Sequence, residues 1–352
     1  MDLNRAVRLP VSVLGIGLFA LTLFFAVEWG ERPARGRDAG GTRQRSRRST
    51  DAGMATGRSA PASETLKGRP GSAGRRLQDA ALLLGLDRPR VKRIATRWRR
   101  FDGTRIVWDQ RVGRLVTFTF DDGPSHRVTP YLLDQLDRFG IKATFFVVGR
   151  RFGGRSSIAQ KNQEVLREEV RRGHFVGSHS YTHPMMAQLS TDRQKWEIMS
   201  NEEAIVRTCG LRPYLYRPPF GGRTAYSNRL LERRAYAIAM WNLSSGDPFG
   251  RHVAKVHRTV LKKIHKHRGG IVLMHDTNGW SAAAVPLIVR SILLESCTLM
   301  RRGEQPYLIV GLDRFAADAH GRLVPLDAED KTEAAAWFDR TRRLCQAGIR
   351  EP

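Results

Sequence analysis

Clusters of polar side chains between residues 121 and 276 contain the groups that metal-assisted hydrolysis needs. Asp121 and Asp122 stand side by side before a Gly-Pro pair. His179 and His183 are four residues apart, a spacing that would place both imidazoles on one face of a helical turn. Two histidines and one carboxylate leave one coordination position open, which is typical of a catalytic zinc site rather than a structural one.

The remaining clusters supply the other groups that hydrolysis of an amide requires. Arg217 can hold a carboxylate in a fixed orientation through paired hydrogen bonds. A carboxylate can act as the base, and a histidine on another strand, such as His275, can act as the acid for the leaving amine. Each cluster also has a simpler interpretation, because the acidic pair fits a solvated turn, the two histidines fit a surface loop and the arginine fits an ordinary salt bridge.

The basic run Arg251–Arg268 is interpreted as an amphipathic stretch with one buried and one solvated face. Four apolar residues at helical spacing mark its buried stripe: Val253, Val256, Val260 and Ile264. Its lysines, together with His257, His265 and His267, are therefore expected to form a solvated face.

Short apolar runs rich in Val, Ile, Phe and Tyr precede the polar clusters, as strands buried on both faces would. The runs are Leu115–Phe120, Ala143–Val148, Phe175–Gly177, Tyr214–Tyr216, Ala237–Trp241, Ile271–Met274 and Tyr307–Val310. Amphipathic stretches separate them; one is predicted to be capped by Thr129 and to end at Gly140. Alternation of strands and helices predicts a parallel sheet, closed as a barrel or open.

The polar clusters lie just after the apolar runs, one run after another. Asp121 follows Phe120, His179 comes shortly after Gly177, and His275 follows Met274. In parallel α/β barrels the site is built at the carboxyl ends of the strands. The clusters are therefore predicted to meet at one end of the sheet.

In their order along the chain, these clusters resemble the five motifs of the polysaccharide deacetylases, carbohydrate esterase family 4. The matching segments are Thr117–Pro124, His179–His183, Arg217–Gly221, Asp247 and Leu273–His275. The resemblance spans roughly residues 114–315, and five motifs in order are a specific signal. It implies a distorted (β/α) barrel with about seven parallel strands. It also implies N-deacetylation of amino sugars in a polysaccharide (peptidoglycan, chitin-like or exopolysaccharide), with release of acetate.

The resemblance also implies a role for each residue of a metal centre. Asp122, His179 and His183 would bind a divalent metal, usually zinc. Asp121 would be the general base that activates the attacking water. Arg217 would orient Asp121.

The same resemblance assigns the leaving-group side of the site. His275 would be the general acid, and Asp247 would pair with it and keep it charged. Leu273 would line the pocket for the acetyl methyl group, and the backbone N–H near Phe220 would help to stabilise the oxyanion. The family usually has Tyr at the position of Phe220 and Trp at that of Pro248. The second departure removes an aromatic wall of the acetyl pocket, so hydrolysis of another amide or imide stays an alternative.

The formal net charge is +26, and about half of this excess lies in the first 100 residues. Such a charge attracts anionic partners. Residues 31–76 are rich in Arg, Gly and Ser and predict a disordered linker that could bind an anionic envelope polymer. No nucleic-acid partner is expected, because no aromatic residues interleave with these arginines. A non-catalytic, membrane-tethered binder of anionic polymer is the alternative from another class, and metal content would distinguish it from the enzyme.

The uncharged stretch Leu9–Val27 predicts a membrane-spanning helix about 28 Å long. An uncleaved anchor is favoured over a cleaved signal peptide, because Phe24 fits poorly into an A-x-A cleavage site before Ala26. The arginines after this stretch would, by the positive-inside rule, keep the large domain in the cytoplasm. The substrates implied by the resemblance lie outside, so the expectation is a single-pass anchor in the cytoplasmic membrane with the catalytic domain extracytoplasmic.

Four regions are predicted along the chain. Residues 1–30 form the anchor, 31–100 a basic and disordered linker (with a short basic helix at 77–100), 101–320 the catalytic domain and 321–352 a C-terminal extension. The three cysteines cannot all pair within one chain. A bridge between Cys297 and Cys345 is compatible with a location outside the cytoplasm, and three free thiols are equally compatible with the sequence.

Overall fold

The computed structural model describes residues 72–107, 113–325 and 328–347. The predicted anchor Leu9–Val27 and the linker up to residue 71 lie outside the described residues. The strands are β1 Arg105–Ile106, β2 Leu115–Asp121, β3 Thr144–Val147, β4 Phe175–Ser178, β5 Leu215–Tyr216, β6 Ala237–Ile238, β7 Leu243–Ser244, β8 Gly270–His275, β9 Leu308–Ile309 and β10 Ala316–Ala317. The helices are α1 Ser72–Leu84, α2 Arg88–Arg99, α3 Thr129–Phe139, α4 Ser157–Arg171, α5 Thr191–Cys209, α6 Ala225–Arg233, α7 Val253–His267, α8 Gly279–Arg301 and α9 Ala328–Ala347.

Eight strands form one parallel sheet, in the order β6-β5-β4-β3-β2-β8-β7, with β9 paired to the start of β2. Each of the seven apolar runs overlaps one of these strands, so the predicted parallel α/β architecture is confirmed. The sheet is curled, and the described strands include no pairing between β6 and β7, so the predicted barrel is a half-barrel open on that side. β7 was missed because its residues, Leu243 and Ser244, form no apolar run and closely follow the run that contains β6.

The centre of the sheet positions the chemistry. β2 pairs with β8 over six residues, from Val116 opposite Gly270 to Asp121 opposite His275. Nearly every residue of the two strands is buried. The two predicted acid–base residues therefore end adjacent strands at the same level of the sheet.

Helices α1 and α2 cover the amino ends of the strands. Leu84, Val91 and Trp98 are buried in the main core. The ring of Phe101, just after α2, meets the ring of Phe175 at the start of β4 edge to face, with centroids 5.2 Å apart. The predicted disordered linker is therefore wrong from residue 72 onward, since an apolar stripe packs this basic segment onto the fold.

The single helix expected at residues 77–100 is two helices. Gly85 adopts φ +62° after α1, and the Asp87 side chain accepts a hydrogen bond from the backbone N–H of Arg90, 2.7 Å away, to start α2. The expected cap of α3 is also displaced. Val128 is the capping residue, and Thr129 lies inside the helix, where its hydroxyl accepts from Ser125 N–H. Gly140 ends α3 in the left-handed conformation, as predicted.

The C-terminal helix α9 is fastened to the domain. Cys297 of α8 and Cys345 of α9 form a disulfide, and Cys209 is a buried free thiol. Trp337 of α9 is buried and donates its indole N–H to Tyr307 O at 3.4 Å. The predicted C-terminal extension thus includes a packed element of the catalytic domain.

Among the described residues, α8 is the one helix long and apolar enough to cross a membrane by length and composition. Half of its most apolar window is buried inside the domain. Core helices of folded domains pass the same test, so α8 gives only weak support for a membrane span.

Candidate active site

The carboxyl ends of β2, β4, β5 and β8 bring the predicted site residues together. Asp121 is the last residue of β2 and His275 the last of β8, while His179 and Arg217 directly follow β4 and β5. The backbone N–H of Arg217 donates to Ser178 O at 3.0 Å, which ties the ends of β4 and β5 to each other. The prediction that the clusters meet at one end of the sheet is confirmed.

Asp122, His179 and His183 converge on one point. Their ligand atoms all lie within 4.8 Å of one another. Asp122 Oδ1 is 3.2 Å from His183 Nε2 and 3.7 Å from His179 Nε2. This carboxylate oxygen is buried and accepts no hydrogen bond from the described residues. A buried oxygen without a donor between two imidazole nitrogens fits a divalent cation.

The two histidines are presented by a loop rather than by the expected helical turn. Ser180 and His183 both have φ of +65°, which folds the chain back and brings the two imidazole rings to a centroid distance of 4.8 Å. The backbone N–H of His183 donates to Ser180 Oγ at 3.0 Å and closes this loop. The spacing of four residues correctly predicted that the two imidazoles lie close together. The cause is this folded loop and not a helical turn.

The protonation state of both histidines suits metal ligands. His179 Nδ1 lies 2.7 Å from Arg217 O, and a carbonyl can only accept, so Nδ1 carries the proton and Nε2 faces Asp122. Burial lowers the pKa of His179 to about 3 and also lowers the pKa of His183. Neutral imidazoles oriented by a second hydrogen bond are what a metal site requires.

Arg217 is fully buried and held from several sides. Its Nε donates to Ala239 O at 2.9 Å, and its Nη1 donates to Thr119 Oγ1 at 2.7 Å and to Asp121 Oδ1 at 2.8 Å. Its guanidinium carbon lies 4.1 Å from the centroid of the Phe146 ring. Arg217 is therefore fixed and orients Asp121.

Asp121 is buried and has one carboxylate oxygen engaged by Arg217. Its other oxygen, Oδ2, lies 3.6 Å from His179 Nε2 and so faces the three candidate ligands. Burial raises the pKa of Asp121 above its ordinary value, although the charges of Arg217 and His275 act in the opposite direction. A carboxylate whose proton affinity is raised by burial is suited to act as a base.

Asp247, which is buried, and His275, which is partly buried, form a second pair. His275 Nδ1–H donates to Asp247 Oδ1 at 2.9 Å. Burial alone would lower the pKa of His275, but the hydrogen bond and charge of Asp247 raise it to about 9. Asp247 is held in turn by the Ser245 hydroxyl at 2.7 Å and by the His275 backbone N–H at 3.0 Å, and the Trp280 indole donates to its carbonyl oxygen at 2.9 Å. His275 is thus charged at neutral pH and can donate a proton.

Two predicted substrate-contacting residues lie at the edge of this site. Leu273, two residues before His275, is nearly buried on β8. The ring of Phe220 meets the ring of His183 edge to face, with centroids 4.7 Å apart, and is 64% exposed. Pro248 is followed by Phe249, whose side chain is 91% exposed.

Glu197 on α5 braces the histidine loop and was missed at the sequence level. It is fully buried, and its Oε2 accepts the backbone N–H groups of Tyr181 at 3.0 Å and Thr182 at 2.7 Å. One turn further along α5, Asn201 donates to Ser178 Oγ at 2.8 Å, just before His179. Polar residues on the buried face of a helix were the available signal, because such side chains need partners.

Asp276 directly follows the last residue of β8 and has none of the roles predicted from the sequence. It is fully buried and accepts the Thr129 hydroxyl at 2.5 Å, and burial raises its pKa to about 7. A Cβ at Gly123 would lie 2.1 Å from Asp276 Oδ2. The glycine after the acidic pair is therefore needed because Asp276 packs directly against the turn.

Strained backbone is concentrated at the site. Six non-glycine residues of the described ranges have positive φ, and four of them belong to the site: Asp122, Ser180, His183 and Phe220. A left-handed conformation is costly for residues with a Cβ. The fold holds these four residues in place against that cost.

Comparisons with known proteins identify relatives. Residues 109–239 match the family model described as Polysaccharide deacetylase. A peptidoglycan-N-acetylglucosamine deacetylase of Listeria monocytogenes is 34% identical over 205 residues, which cover 58% of this chain and 39% of that protein. A peptidoglycan-N-acetylglucosamine deacetylase of Bacillus cereus is 30% identical over 164 residues, which cover 47% of this chain and 56% of the relative. This chain therefore spans less than two thirds of the length of either relative.

Among solved structures, a family 4 carbohydrate esterase from Streptomyces lividans is 30% identical. The match covers 61% of this chain and 98% of that one, with a TM-score of 0.47.

Proposed function

Because residues 109–239 belong to the polysaccharide deacetylase family, as the five motifs predicted, we propose that this chain is a metal-dependent N-deacetylase of a polysaccharide. Its substrate would be an N-acetylated amino sugar in peptidoglycan or in a chitin-like or exported polysaccharide. The products would be acetate and a free amine. The observation that carries the proposal is the convergence of Asp122, His179 and His183 beside a buried carboxylate and a charged histidine.

The ligand set favours zinc. Two neutral imidazoles and one carboxylate leave a coordination position for water or substrate. When bound, such a cation polarises the acetyl carbonyl and lowers the pKa of water. The orphaned Oδ1 of Asp122 and the fixed tautomer of His179 support this assignment.

The chain's own residues move the protons. Asp121 takes a proton from the attacking water at Oδ2, because its Oδ1 is engaged by Arg217. The water oxygen bonds to the acetyl carbon, and the carbon–nitrogen bond then breaks. His275 donates the proton on Nε2 to the leaving nitrogen, since its Nδ1–H is held by Asp247. The free amine, acetate and one proton released to solvent together account for all atoms of substrate and water.

The proposal places the domain outside the cytoplasm. The disulfide between Cys297 and Cys345 supports this location, because disulfides persist in oxidising compartments. The anchor at Leu9–Val27 would tether the chain to the cytoplasmic membrane. The arginine-rich linker would lie against anionic envelope polymers, and high salt should weaken that contact.

Acetate release by the purified full chain tests the proposal. It would be measured on peptidoglycan and on chitin oligomers, with and without a chelator, and again after zinc is restored. Release that the chelator abolishes and zinc restores is the expected result. No release from either substrate, with one zinc bound per chain, would point to another amide or imide. No release and no bound metal would leave a non-catalytic binder.

A further inference from the structure

The outer face of α7 carries only positive charge. Lys255, Arg258, Lys262 and Lys266 recur once per turn and are all exposed. They lie on the side of α7 opposite its buried apolar stripe. As predicted from the sequence, Val256, Val260 and Ile264 of this stripe are buried. At 1.5 Å per residue the four charges extend over about 16 Å.

These cations lack the carboxylate partners that several arginines of α4 and α5 have. On α4, Arg171 pairs with Glu168 at 2.8 Å, and Arg172 just after the helix pairs with Asp134 of α3 at 2.7 Å. On α5, Arg207 pairs with Glu203 at 3.1 Å. The sequence of α7 contains no Asp or Glu, and within the described part of the chain none of its four outer cations forms an ion pair.

The cationic face begins beside the candidate active site. α7 follows the loop that contains Asp247, and a Cβ at Gly250 in this loop would lie 3.0 Å from the Lys255 side chain. Lys263 Nζ donates to Ser244 O at 2.6 Å, which fastens α7 to the end of β7. A polymeric substrate that extends from the site across this loop would therefore contact α7.

We propose that the outer face of α7 binds carboxylate groups of the substrate polymer itself, next to the unit being deacetylated. This inference rests on the proposed function and narrows its substrate to an acidic N-acetylated glycan. A single-stranded nucleic acid fits less well, because α7 contains no Phe, Tyr or Trp for base stacking. Four unpaired cations in line, beginning at the rim of the site, match a linear polyanion.

Two variants with equal loss of charge test the proposal. In the first, Lys255, Arg258, Lys262 and Lys266 are all replaced by Gln. In the matched control, four exposed basic residues of α2, at the opposite end of the sheet, are replaced by Gln: Arg88, Lys92, Arg93 and Arg99. Because all eight side chains are exposed, both variants should keep the thermal midpoint of the parent.

Binding of soluble peptidoglycan glycan strands, which carry stem-peptide carboxylates, would be measured by titration calorimetry at low salt. The α7 variant should bind about tenfold more weakly, and the α2 variant within about twofold of the parent. Equal weakening in both variants would show general attraction by net charge and overturn the proposal. A larger loss for polyphosphate or single-stranded DNA than for glycan strands would also overturn it, in favour of a phosphate polymer.

Deacetylation separates this inference from the proposed function. Chitin hexamer is neutral, so both variants should deacetylate it as fast as the parent does. On the acidic glycan strands the KM of the α7 variant should rise about tenfold with kcat retained. An unchanged KM would overturn the inference. Failure of the parent itself to deacetylate chitin hexamer and glycan strands would refute the proposed function, while the binding measurement would still decide whether α7 holds the polymer.

Discussion

Two features of Asp121 suit it to act as the base of the proposed mechanism. Arg217 holds one of its oxygens, while burial raises the pKa of the carboxyl group and leaves the other oxygen facing the candidate ligands. The arginine fixes the direction of the carboxylate, and burial makes that carboxylate more basic. The two effects together suit a group that must both point at water and accept its proton.

Replacing Asp121 with Asn should abolish turnover without removing the metal. The amide cannot take a proton, so acetate release should fall by about 10²–10⁴-fold. Zinc content, measured by plasma emission spectrometry, should stay at one per chain because Asp122, His179 and His183 are unchanged. A near-parental rate would show that Asp121 is not the base.

The fall in rate at high pH, where the general acid His275 loses its proton, should depend on Asp247. His275 is protonated below a pKa of about 9, so the rate should fall as pH rises through that value. Asp247→Asn removes the charge that raises this pKa, and burial then lowers it. The upper limb of the pH–rate profile should therefore move toward neutral pH.

The kcat/KM profile of the two proteins, measured from pH 6 to 10 on chitin hexamer, checks this expectation. An upper limb that stays in place in Asp247→Asn would mean that His275 does not govern it.

Glu197→Gln should lower the affinity for the metal, although Glu197 is not one of the candidate ligands. Its two oxygens accept from the backbone of Tyr181 and Thr182 and from the Thr182 hydroxyl. An amide presents a donor to one of these groups and loosens the histidine loop. Zinc affinity should fall about 10–100-fold, as for other groups that orient ligands.

Competition with a fluorescent chelator measures that affinity. Glu203→Gln is the control, because Glu203 lies on the same helix but is exposed and pairs with Arg207 rather than with the histidine loop. Equal zinc affinity in the two variants would count against a positioning role for Glu197.

At the scale of elements, the periodicity of apolar residues predicted the buried strands. It could not predict the loop in which the chain turns back between His179 and His183. The buried strands were visible as apolar runs, because both faces of a central parallel strand exclude water. β7 was not visible, because Leu243 stands between Asn242 and Ser244 and forms no apolar run. The histidine loop was mistaken for a helical turn, since the left-handed conformations of Ser180 and His183 leave no mark on side-chain spacing.

The role of α5 was hidden for a related reason. Glu197 and Asn201 look like ordinary surface residues of a helix until the loop above them is known. Their partners are backbone groups distant in sequence, such as Val147 O, 2.9 Å from Asn201 Nδ2. The motifs therefore predicted the residues that converge at the site, including Arg217 and Asp247, but not the α5 residues that brace the histidine loop.

The disulfide should stabilise the packing of α9 on α8. It closes a loop with a sequence separation of 48 residues, so Cys345→Ser should lower the free energy of unfolding by about 2–4 kcal/mol. Denaturant titration of the full chain measures the difference.

Reductant provides the internal control for this prediction. It should destabilise the parent to the level of Cys345→Ser and leave the variant unchanged. A parent whose stability does not respond to reductant would show that the bond is not formed in solution.

At the scale of the whole domain, the fold begins well before the first deacetylase motif. A chain truncated to begin at residue 101 would lose the buried side chains of Leu84, Val91 and Trp98. Each contributes about 1.5–3 kcal/mol, which together approaches the 5–15 kcal/mol stability of a typical domain. We expect this truncation to lose its near-ultraviolet circular dichroism and cooperative melting, whereas one that begins at residue 72 should retain both.

If the chain truncated at residue 101 melts as cooperatively as the longer one, the domain would begin at residue 101, as predicted from the sequence. That result would make α1 and α2 an appendage on a complete fold.

The left-handed residues of the site set a limit on how stable this protein can become. Asp122, Ser180, His183 and Phe220 hold conformations that glycine would adopt freely, yet glycine would remove two of the three candidate ligands. Selection for heat resistance would favour relaxing these positions, and selection for turnover would oppose it. A thermotolerant version of this fold must therefore gain its added stability away from the carboxyl ends of the strands. The helices, including α1 and α2 at the amino ends of the strands, are the places where it can do so.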